Sequence, residues 1–163
     1  MLMSTESKIE IDQPKIDEGL YSRQLYVLGK EAMLRMQKSS VLIIGLKGLG
    51  IEIAKNVALA GVKSLSLYDP SDVELGDLSS QFFLIADDIG KPRASASKEP
   101  LSKLNQYVPI SIMVDWEESK VRSFKVIIVT SGLLSLEKQV ARNKFTHKSN
   151  SKYISDDSRG LCA

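Results

Sequence analysis

The chain has 163 residues, of which 43% are hydrophobic and 26% charged, as in a globular domain of ordinary size. Its 22 basic and 20 acidic side chains leave a net charge of +2, so charge gives no reason to expect a nucleic-acid or membrane partner. The single cysteine, Cys162, excludes an internal disulfide and fits a reducing compartment. No apolar run approaches the roughly 20 residues of a membrane span, and the polar N-terminus lacks a signal-peptide core. We therefore expect a cytoplasmic and nuclear protein.

The first part of the chain predicts a tail followed by two helices. Residues 1–19 are polar, mixed in charge and weakly patterned, which is typical of a flexible tail. From Tyr21 onward apolar residues recur at helical spacing, and Gly29 is placed to divide this segment into two short helices. The domain is therefore assigned to residues 20–163.

Beyond this point, predicted strands alternate with predicted helices. The short apolar or alternating runs that favour strands are residues 41–46, 64–70, 109–115, 124–131 and 151–157. The amphipathic segments that favour helices are residues 49–59, a segment that begins at Pro92, and residues 134–148. This order predicts an α/β domain with a mainly parallel sheet and right-handed crossovers. Because the sequence stops directly after a strand, we expect a domain that is incomplete at its C-terminus.

Two of these helices allow more detailed predictions. The helix over residues 49–59 should turn Ile53, Val57 and Ala60 to one side, and Gly61 is placed to stop it. Pro92 suits a first helical turn, whereas Pro100 should end or kink the helix that follows.

A glycine-rich loop joins the first predicted strand to the next helix. Gly45, Gly48 and Gly50 nearly match the dinucleotide fingerprint G-x-G-x-x-G, but Lys47 stands at the middle glycine. That glycine normally lets a pyrophosphate approach bare backbone, while the outer two also serve the turn and the packing of the helix. Asp69 ends the next strand, where such folds place an acid that binds a ribose hydroxyl, although it also suits a turn before Pro70. Two interpretations of this segment therefore stay open: a nucleotide-binding loop and a purely structural turn.

Other chemically capable side chains give weaker signals. The default interpretation of Arg23 is a solvent-exposed arginine on a helix. Its guanidinium is planar and permanently charged, however, and also suits phosphate oxygens. His147 is the only histidine, and Cys162 has no histidine near it in sequence. Trp116 is expected to cover a sheet edge. We assign no catalytic residue and no metal site to this chain.

Six stretches, in chain order from about Gly19 to Leu161, are informative together: YSRQLYVLGKEAM, VLIIGLKGLGIEIAKNVALAGVKS, DLSSQFFL, ADDIGKPRA, LNQYVPI and SRGL. Together they resemble the start of the eukaryotic ubiquitin-activating enzymes. The resemblance implies a Rossmann-like ThiF/MoeB-type fold, in the first of two adenylation halves that pack as a pseudo-dimer. The other half of such enzymes binds ATP and magnesium and adenylates the C-terminal glycine of ubiquitin. The complete enzyme then passes ubiquitin to a cysteine as a thioester.

The resemblance also implies that this half is the inactive one. Lys47 stands for a glycine of the active half, Ser80 for an arginine and Arg93 for a lysine, and the segment around Leu134 lacks the magnesium-binding aspartate. Arg23, in contrast, matches an arginine that crosses the pseudo-dimer and reaches the ATP phosphates in the partner half. ATP and magnesium are therefore implied for the complete enzyme only, with none expected for the isolated chain. The implied partners are the active half, in the same chain or a separate subunit, and ubiquitin.

Two alternatives stay open at this level. One is the small regulatory subunit of a SUMO- or NEDD8-activating enzyme, which shares the same ancestry. The other is an NAD(P)-dependent Rossmann oxidoreductase, favoured by Gly45, Gly48, Gly50 and Asp69 and disfavoured by Lys47. For a pseudo-dimer half we further expect an exposed apolar docking face, so that the isolated chain dimerises or aggregates.

Overall fold

The computed structural model describes residues 16–130 and 135–158. The predictions made for residues 1–15, Leu134, Leu161 and Cys162 fall outside these ranges. The helices are α1 Ser22–Leu28, α2 Lys30–Gln37, α3 Gly48–Leu59, α4 Arg93–Ser102, α5 Glu118–Val121 and α6 Leu136–Lys148. The strands are β1 Ser40–Ile44, β2 Ser64–Tyr68, β3 Ile110–Ile112, β4 Val126–Thr130 and β5 Lys152–Asp156. Two 3₁₀ turns, Leu75–Ser79 and Ala86–Asp88, lie between β2 and α4.

The five strands form one parallel sheet in the order β3-β2-β1-β4-β5. In the centre of the sheet, Ile43 of β1 pairs with Leu67 of β2 and with Ile128 of β4. This confirms the predicted α/β class and the parallel sheet. Because the strand order reverses between β1 and β4, the carboxyl ends of these strands form the crevice in which open α/β sheets bind ligands.

Both faces of the sheet are covered, which explains the uninterrupted apolar run of β1. Val41 and Ile43 pack on the side of α3 and α4, whereas Leu42 and Ile44 pack on the side of Phe145 from α6. On α3 the fully buried stripe is Ile51, Ala54 and Ala58, and not the predicted stripe of Ile53, Val57 and Ala60. Ile53 and Val57 pack only partly against the core. The small side chains of α3 bring its axis close to the sheet, so the larger residues flank the contact.

The helices α1 and α2 form as two short helices, as Gly29 predicted, with Gly29 at φ +81° between them. Tyr21, directly before α1, and Gln24 connect this helix to the rest of the domain. The Asn105 side-chain amide donates to the Tyr21 hydroxyl at 2.8 Å and to the Ala58 carbonyl at 2.9 Å. The Gln24 amide donates to the Leu59 carbonyl at 3.4 Å. The helix α1 therefore lies at the C-terminal end of α3.

Pro100 lies inside α4, which ends two residues later at Ser102. Proline has no N–H to donate to the carbonyl four residues before it, so one helical hydrogen bond is missing in the last turn of α4. Across the two described ranges, no helix is long and apolar enough to cross a membrane.

Candidate functional site

The glycine loop lies at the carboxyl ends of β1 and β2. Gly45 adopts φ +91°, which only glycine takes without strain, and its N–H donates to the Tyr68 carbonyl at 2.9 Å. Gly50 lies so close to this turn that a β-carbon there would be 2.0 Å from the Gly45 carbonyl oxygen. The Thr130 hydroxyl of β4 donates to that same oxygen at 3.0 Å. The turn and the approach of α3 to the sheet therefore account for both glycines.

The open side of the loop is polar and carries charges of both signs. Lys47 is exposed at the N-cap of α3, and a β-carbon on Gly48 would lie 2.9 Å from the Ser80 β-carbon. An open groove of about 690 Å³ is lined here by Lys47, Gly48, Leu49, Glu52, Ser80, Asp157 and Ser158. Glu52, which pairs with Lys55, and Asp157 place two carboxylates in this groove beside Lys47, so its lining has no excess of positive charge for a phosphate.

Asp69 is buried and its two oxygens are occupied. One oxygen accepts from the Leu46 N–H at 2.8 Å and the other from the Ser71 N–H at 3.0 Å. Nη1 of Arg93 donates to both oxygens, at 3.0 and 3.1 Å. Asp69 therefore ties the glycine loop to α4, which leaves it poorly placed to bind a ribose hydroxyl.

Arg93 is 1% exposed and joins a second carboxylate, Asp77. Its Nε and Nη2 donate to Asp77 Oδ2 at 3.0 and 2.7 Å, and Nη2 also donates to the Asp72 carbonyl at 3.0 Å. Burial alone would lower the pKa of Arg93, but the two carboxylates outweigh it and raise that pKa. Burial would likewise raise the pKa of Asp77, yet the Glu74 N–H and the Arg93 guanidinium bring it below its usual value. Arg93 is thus held as a buried cation.

Asp77 and the amide network behind it were not predicted from the sequence. The Gln81 amide, fully buried, donates to the Ser97 hydroxyl at 2.8 Å, and that hydroxyl donates to the Arg93 carbonyl at 2.8 Å. Asp77 and Gln81 lie in and just after a 3₁₀ turn, which has no periodic patterning. The one available signal was the polar cluster within DLSSQ, next to an apolar Phe-Phe-Leu run.

Arg23 lies apart from the loop. It is exposed on α1, and its guanidinium forms no hydrogen bond or ion pair with any residue in 16–130 or 135–158. The loop lies at the other end of α3, whose 12 residues span about 18 Å. The apolar residues close to Arg23 in sequence that are at least half exposed are Leu20 at 55%, Tyr26 at 92%, Val27 at 77% and Leu28 at 50%. The structure therefore brings the loop together with Asp69 and Arg93 but places Arg23 on a separate apolar surface.

The remaining candidates fall elsewhere. His147 is exposed in the last turn of α6. Trp116, which follows the edge strand β3, packs in an aromatic cluster against the sheet face that α6 covers. Among the described residues, no group of three or more histidine, cysteine, aspartate or glutamate side chains could hold a metal ion.

Comparison with known proteins gives high identity over nearly the whole chain. It is 59% identical over 160 residues to ubiquitin-activating enzyme E1 1 of Candida albicans, covering 98% of this chain and 16% of that protein. It is 57% identical to ubiquitin-activating enzyme E1 1 of Schizosaccharomyces pombe with the same coverage. It is 50% identical over 147 residues to human ubiquitin-like modifier-activating enzyme 1, covering 90% of this chain and 14% of that protein. The chain thus spans about one sixth of the length of these relatives, whose similarity confirms the resemblance read from the sequence.

Solved structures show the same fold at lower identity. E. coli MccB superposes with a TM-score of 0.73 at 21% identity, over 85% of this chain and 44% of that one. E. coli tRNA N6-threonylcarbamoyladenosine dehydratase superposes with a TM-score of 0.73 at 16% identity, over 85% of this chain and 59% of that one. The ThiF family model matches residues 21–157. The chain belongs to the ThiF family.

Proposed function

We propose that this chain is the inactive adenylation half of a ubiquitin-activating enzyme. In this proposal it is the structural partner of an active half and supplies Arg23 to the ATP site of that half. The observation that carries the proposal is the position of Arg23: exposed, without a partner among the described residues, and bordered by apolar side chains. An arginine so placed is available to a neighbouring domain and remote from the loop of its own domain.

The chemistry of arginine suits this role. The guanidinium keeps its charge at any working pH and presents several N–H groups in a plane, which matches phosphate oxygens. An arginine brought from a neighbouring domain stabilises the negative charge that develops on phosphate during transfer. Exposed apolar side chains beside it favour a permanent interface with the active half, because such patches are usually covered in the complete molecule. ATP, magnesium and ubiquitin would be bound in the complete enzyme, mainly outside this chain.

For the glycine loop we propose a structural role. Gly45 and Gly50 are explained by the turn and by the close approach of α3, and Asp69 by its ion pair with Arg93. The two carboxylates of the adjoining groove disfavour a pyrophosphate, and the Lys47 side chain stands where a pyrophosphate would need bare backbone. The geometry of Asp69 likewise gives no support to the oxidoreductase alternative.

The regulatory subunit of a SUMO- or NEDD8-activating enzyme remains the second candidate for the same fold. It differs in having its active half on a separate chain. Capture of a separate active subunit by this chain would favour that alternative, whereas a need for covalent continuity would favour the leading proposal. For either candidate function we propose that the protein is located in the cytoplasm and nucleus.

The proposal is tested by Arg23→Ala in the complete enzyme. We expect ubiquitin-dependent exchange between ATP and pyrophosphate to fall about 100-fold at limiting ATP, since removal of one transition-state donor costs about that much. Arg35→Ala is the matched control, because Arg35 is also an exposed helix arginine and, within the described part of the chain, its ion pair is with the neighbouring Glu31. Unchanged exchange in Arg23→Ala would rule out the role in ATP chemistry.

A further inference from the structure

The fold separates the charged side chains between the two ends of the sheet. The segments that lead into β2, β1, β4 and β5 are residues 61–64, 37–40, 120–126 and 147–152, and they contain no aspartate or glutamate. Apart from Lys120, which pairs with Glu117, their basic side chains are Lys38, Lys63, Arg122, Lys125, Lys148 and Lys152. We call the surface formed by these four segments the amino edge, since the strands begin there.

The opposite end of the sheet carries carboxylates. Residues 69–72, 113–118 and 156–158, which end or follow β2, β3 and β5, contain acidic but no basic side chains. The net charge of +2 for the whole chain conceals this separation. The amino edge is therefore a basic surface that composition alone does not reveal.

Backbone hydrogen bonds place three lysines of the amino edge in a row. The Lys125 N–H donates to the Ser40 carbonyl at 2.9 Å, and the Lys152 N–H donates to the Lys125 carbonyl at 2.8 Å. On the other side of β1, the Lys63 N–H donates to the Ser39 carbonyl at 3.0 Å. Because neighbouring strands lie about 4.8 Å apart, the row from β2 to β5 is about 14 Å long.

The lysines of this row are accessible to a partner. Lys63, Lys125 and Lys152 are exposed and form no ion pair within residues 16–130 and 135–158. Asp17 lines a small cavity together with Lys63, but its carboxylate accepts from two backbone N–H groups of its own turn at 3.0 Å. The positive charge of the row is therefore not neutralised by the part of the domain described.

Helix termini explain only part of this charge. Lys38 is the C-cap of α2 and Lys148 lies in the last turn of α6, where a cation stabilises the free carbonyls. Lys63 and Lys125 follow α3 and α5 only after several further residues, and Lys152 begins a strand. Like charges on adjacent strands repel each other, so the row itself destabilises the fold. A row that no helix needs indicates a surface for an anionic partner.

The other side chains of the amino edge narrow the class of partner. Its serine hydroxyls are used inside the chain, since Ser40 donates to the Ser123 carbonyl at 2.9 Å and Ser151 to the Phe124 carbonyl at 2.7 Å. The four segments contain no exposed phenylalanine, tyrosine or tryptophan on which a nucleic-acid base could stack. They contain no exposed large apolar side chain that could enter a membrane surface either. The surface offers positive charge without the contacts that nucleic acids or membranes also use.

We propose that the amino edge binds an acidic segment of another protein, laid in extended conformation across the starts of β2, β1, β4 and β5. An extended chain rises about 3.3 Å per residue, so about five residues cover the row. The lysine ammonium is a compact charge on a flexible stem, which suits several carboxylates whose positions vary. The row shares no residue with the glycine loop or with the apolar surface around Arg23, so this binding is independent of the proposed adenylation role.

Fluorescence anisotropy of a labelled deca-glutamate peptide, titrated with the 163-residue chain, tests the proposal. The comparison probes are deca-glutamine, a thymidine decanucleotide and vesicles that contain phosphatidylserine. We expect saturable binding of deca-glutamate that weakens as salt is raised, because salt screens exposed charges, and no binding of deca-glutamine. Absence of saturation with deca-glutamate would overturn the proposal. Binding of the oligonucleotide at least as tight as that of deca-glutamate, or sedimentation of the chain with the vesicles, would assign the surface to nucleic acid or membrane instead.

Two double variants locate the binding surface. Lys125→Glu combined with Lys152→Glu reverses two neighbouring charges of the row and should weaken deca-glutamate binding about tenfold or more. Lys47→Glu combined with Lys98→Glu is the matched control, because it changes the net charge equally at two exposed lysines away from the amino edge. The control should bind within about twofold of the unchanged chain, since distant exposed charges are screened.

Far-ultraviolet circular dichroism checks that each double variant folds. If the charge reversal does not fold, Lys125→Gln combined with Lys152→Gln removes the same charges without adding carboxylates and should also weaken binding. An equal loss in the control would show that the net charge of the chain, and not the amino edge, attracts the peptide. Binding that survives the loss of both lysines would likewise disprove the assignment.

Discussion

The Arg93 guanidinium joins three segments that are distant in sequence: the loop after β1, the 3₁₀ turn Leu75–Ser79 and the start of α4. It reaches the loop through Asp69 and the turn through Asp77, both of which are nearly inaccessible to solvent. A buried ion pair adds little net stability, but removing one member leaves an uncompensated charge and is strongly destabilising. Asp69 therefore has a structural reason to be present whether or not a ligand binds nearby.

Asp77→Asn tests this arrangement through its pH dependence. The pKa of Asp77 is lower in the folded chain than its usual value of about 3.8, so the carboxylate stabilises the fold fully above that value. The stabilisation is lost as the pH falls from about 4 toward the folded pKa. At pH 7 we expect Asp77→Asn to lower the free energy of unfolding by about 1.5–3 kcal/mol, the contribution of a hydrogen bond to a charged group. Urea unfolding should show this difference shrinking below pH 4.

Asp72→Asn is the control for that measurement. Asp72 belongs to the same segment and its carbonyl also accepts from Arg93, but its carboxylate is exposed. The substitution should change stability by less than about 0.5 kcal/mol, as surface changes usually do. Equal losses in both variants, or a loss in Asp77→Asn that does not depend on pH, would show that the Arg93 ion pair is not the cause.

At the scale of residues, the sequence predicts the structural role of a residue only where that role depends on its neighbours in the chain. The turn at Gly45 and the close packing at Gly50 follow from a strand, a glycine loop and a helix in succession, and all three are visible in the sequence. The ion pairs of Arg93 are not, because Asp69 is 24 residues away and Asp77 lies in a turn without periodicity. The distance from Arg23 to the loop also depends on how α1 packs, which only the tertiary structure shows.

At the scale of elements, the apolar runs predict all five strands but place several of their ends too far out. The first strand was expected to reach Leu46 but ends at Ile44. Beyond Ile44, the Gly45 N–H donates to the Tyr68 carbonyl and the Leu46 N–H donates to the Asp69 carboxylate. The third strand is only three residues long, Ile110–Ile112, since within the described sheet it lies at the edge and pairs with β2 alone. A strand ends where its backbone groups form hydrogen bonds outside the sheet, and those bonds depend on the tertiary structure.

The attachment of α1 through Tyr21 makes a prediction at this scale. Tyr21 is 3% exposed, packs with Ile16 and Met33, and its hydroxyl accepts from Asn105. Tyr21→Ala removes this packing and the hydrogen bond together, so α1 and α2 should lose protection against amide exchange while β1 and β2 keep theirs. Hydrogen–deuterium exchange measured by mass spectrometry on dilute protein resolves these segments.

Tyr26→Ala is the matched control, because Tyr26 lies on the same helix but is 92% exposed. Its exchange pattern should equal that of the unchanged chain. Faster exchange throughout the sheet in Tyr21→Ala would mean that α1 is part of the cooperative core and not a separately attached element.

At the scale of the whole molecule, no other element of the described domain covers the apolar surface of α1. Leu20, Tyr26, Val27 and Leu28 are each at least half exposed there, next to Arg23. If this surface docks the active half, the 163-residue chain alone should hide it by self-association, since burying apolar area gains about 25 cal/mol per Å².

Val27→Asp tests that expectation. A carboxylate in the middle of the surface must lose its hydration to become buried, so the variant should remain monomeric at protein concentrations where the unchanged chain forms dimers or larger species. Val114→Asp is the matched control, because Val114 is 77% exposed like Val27 but follows β3, away from α1. Sedimentation velocity over a concentration series gives the distribution of species. A monomeric unchanged chain, or a loss of association in Val114→Asp as large as in Val27→Asp, would show that α1 does not present the docking surface.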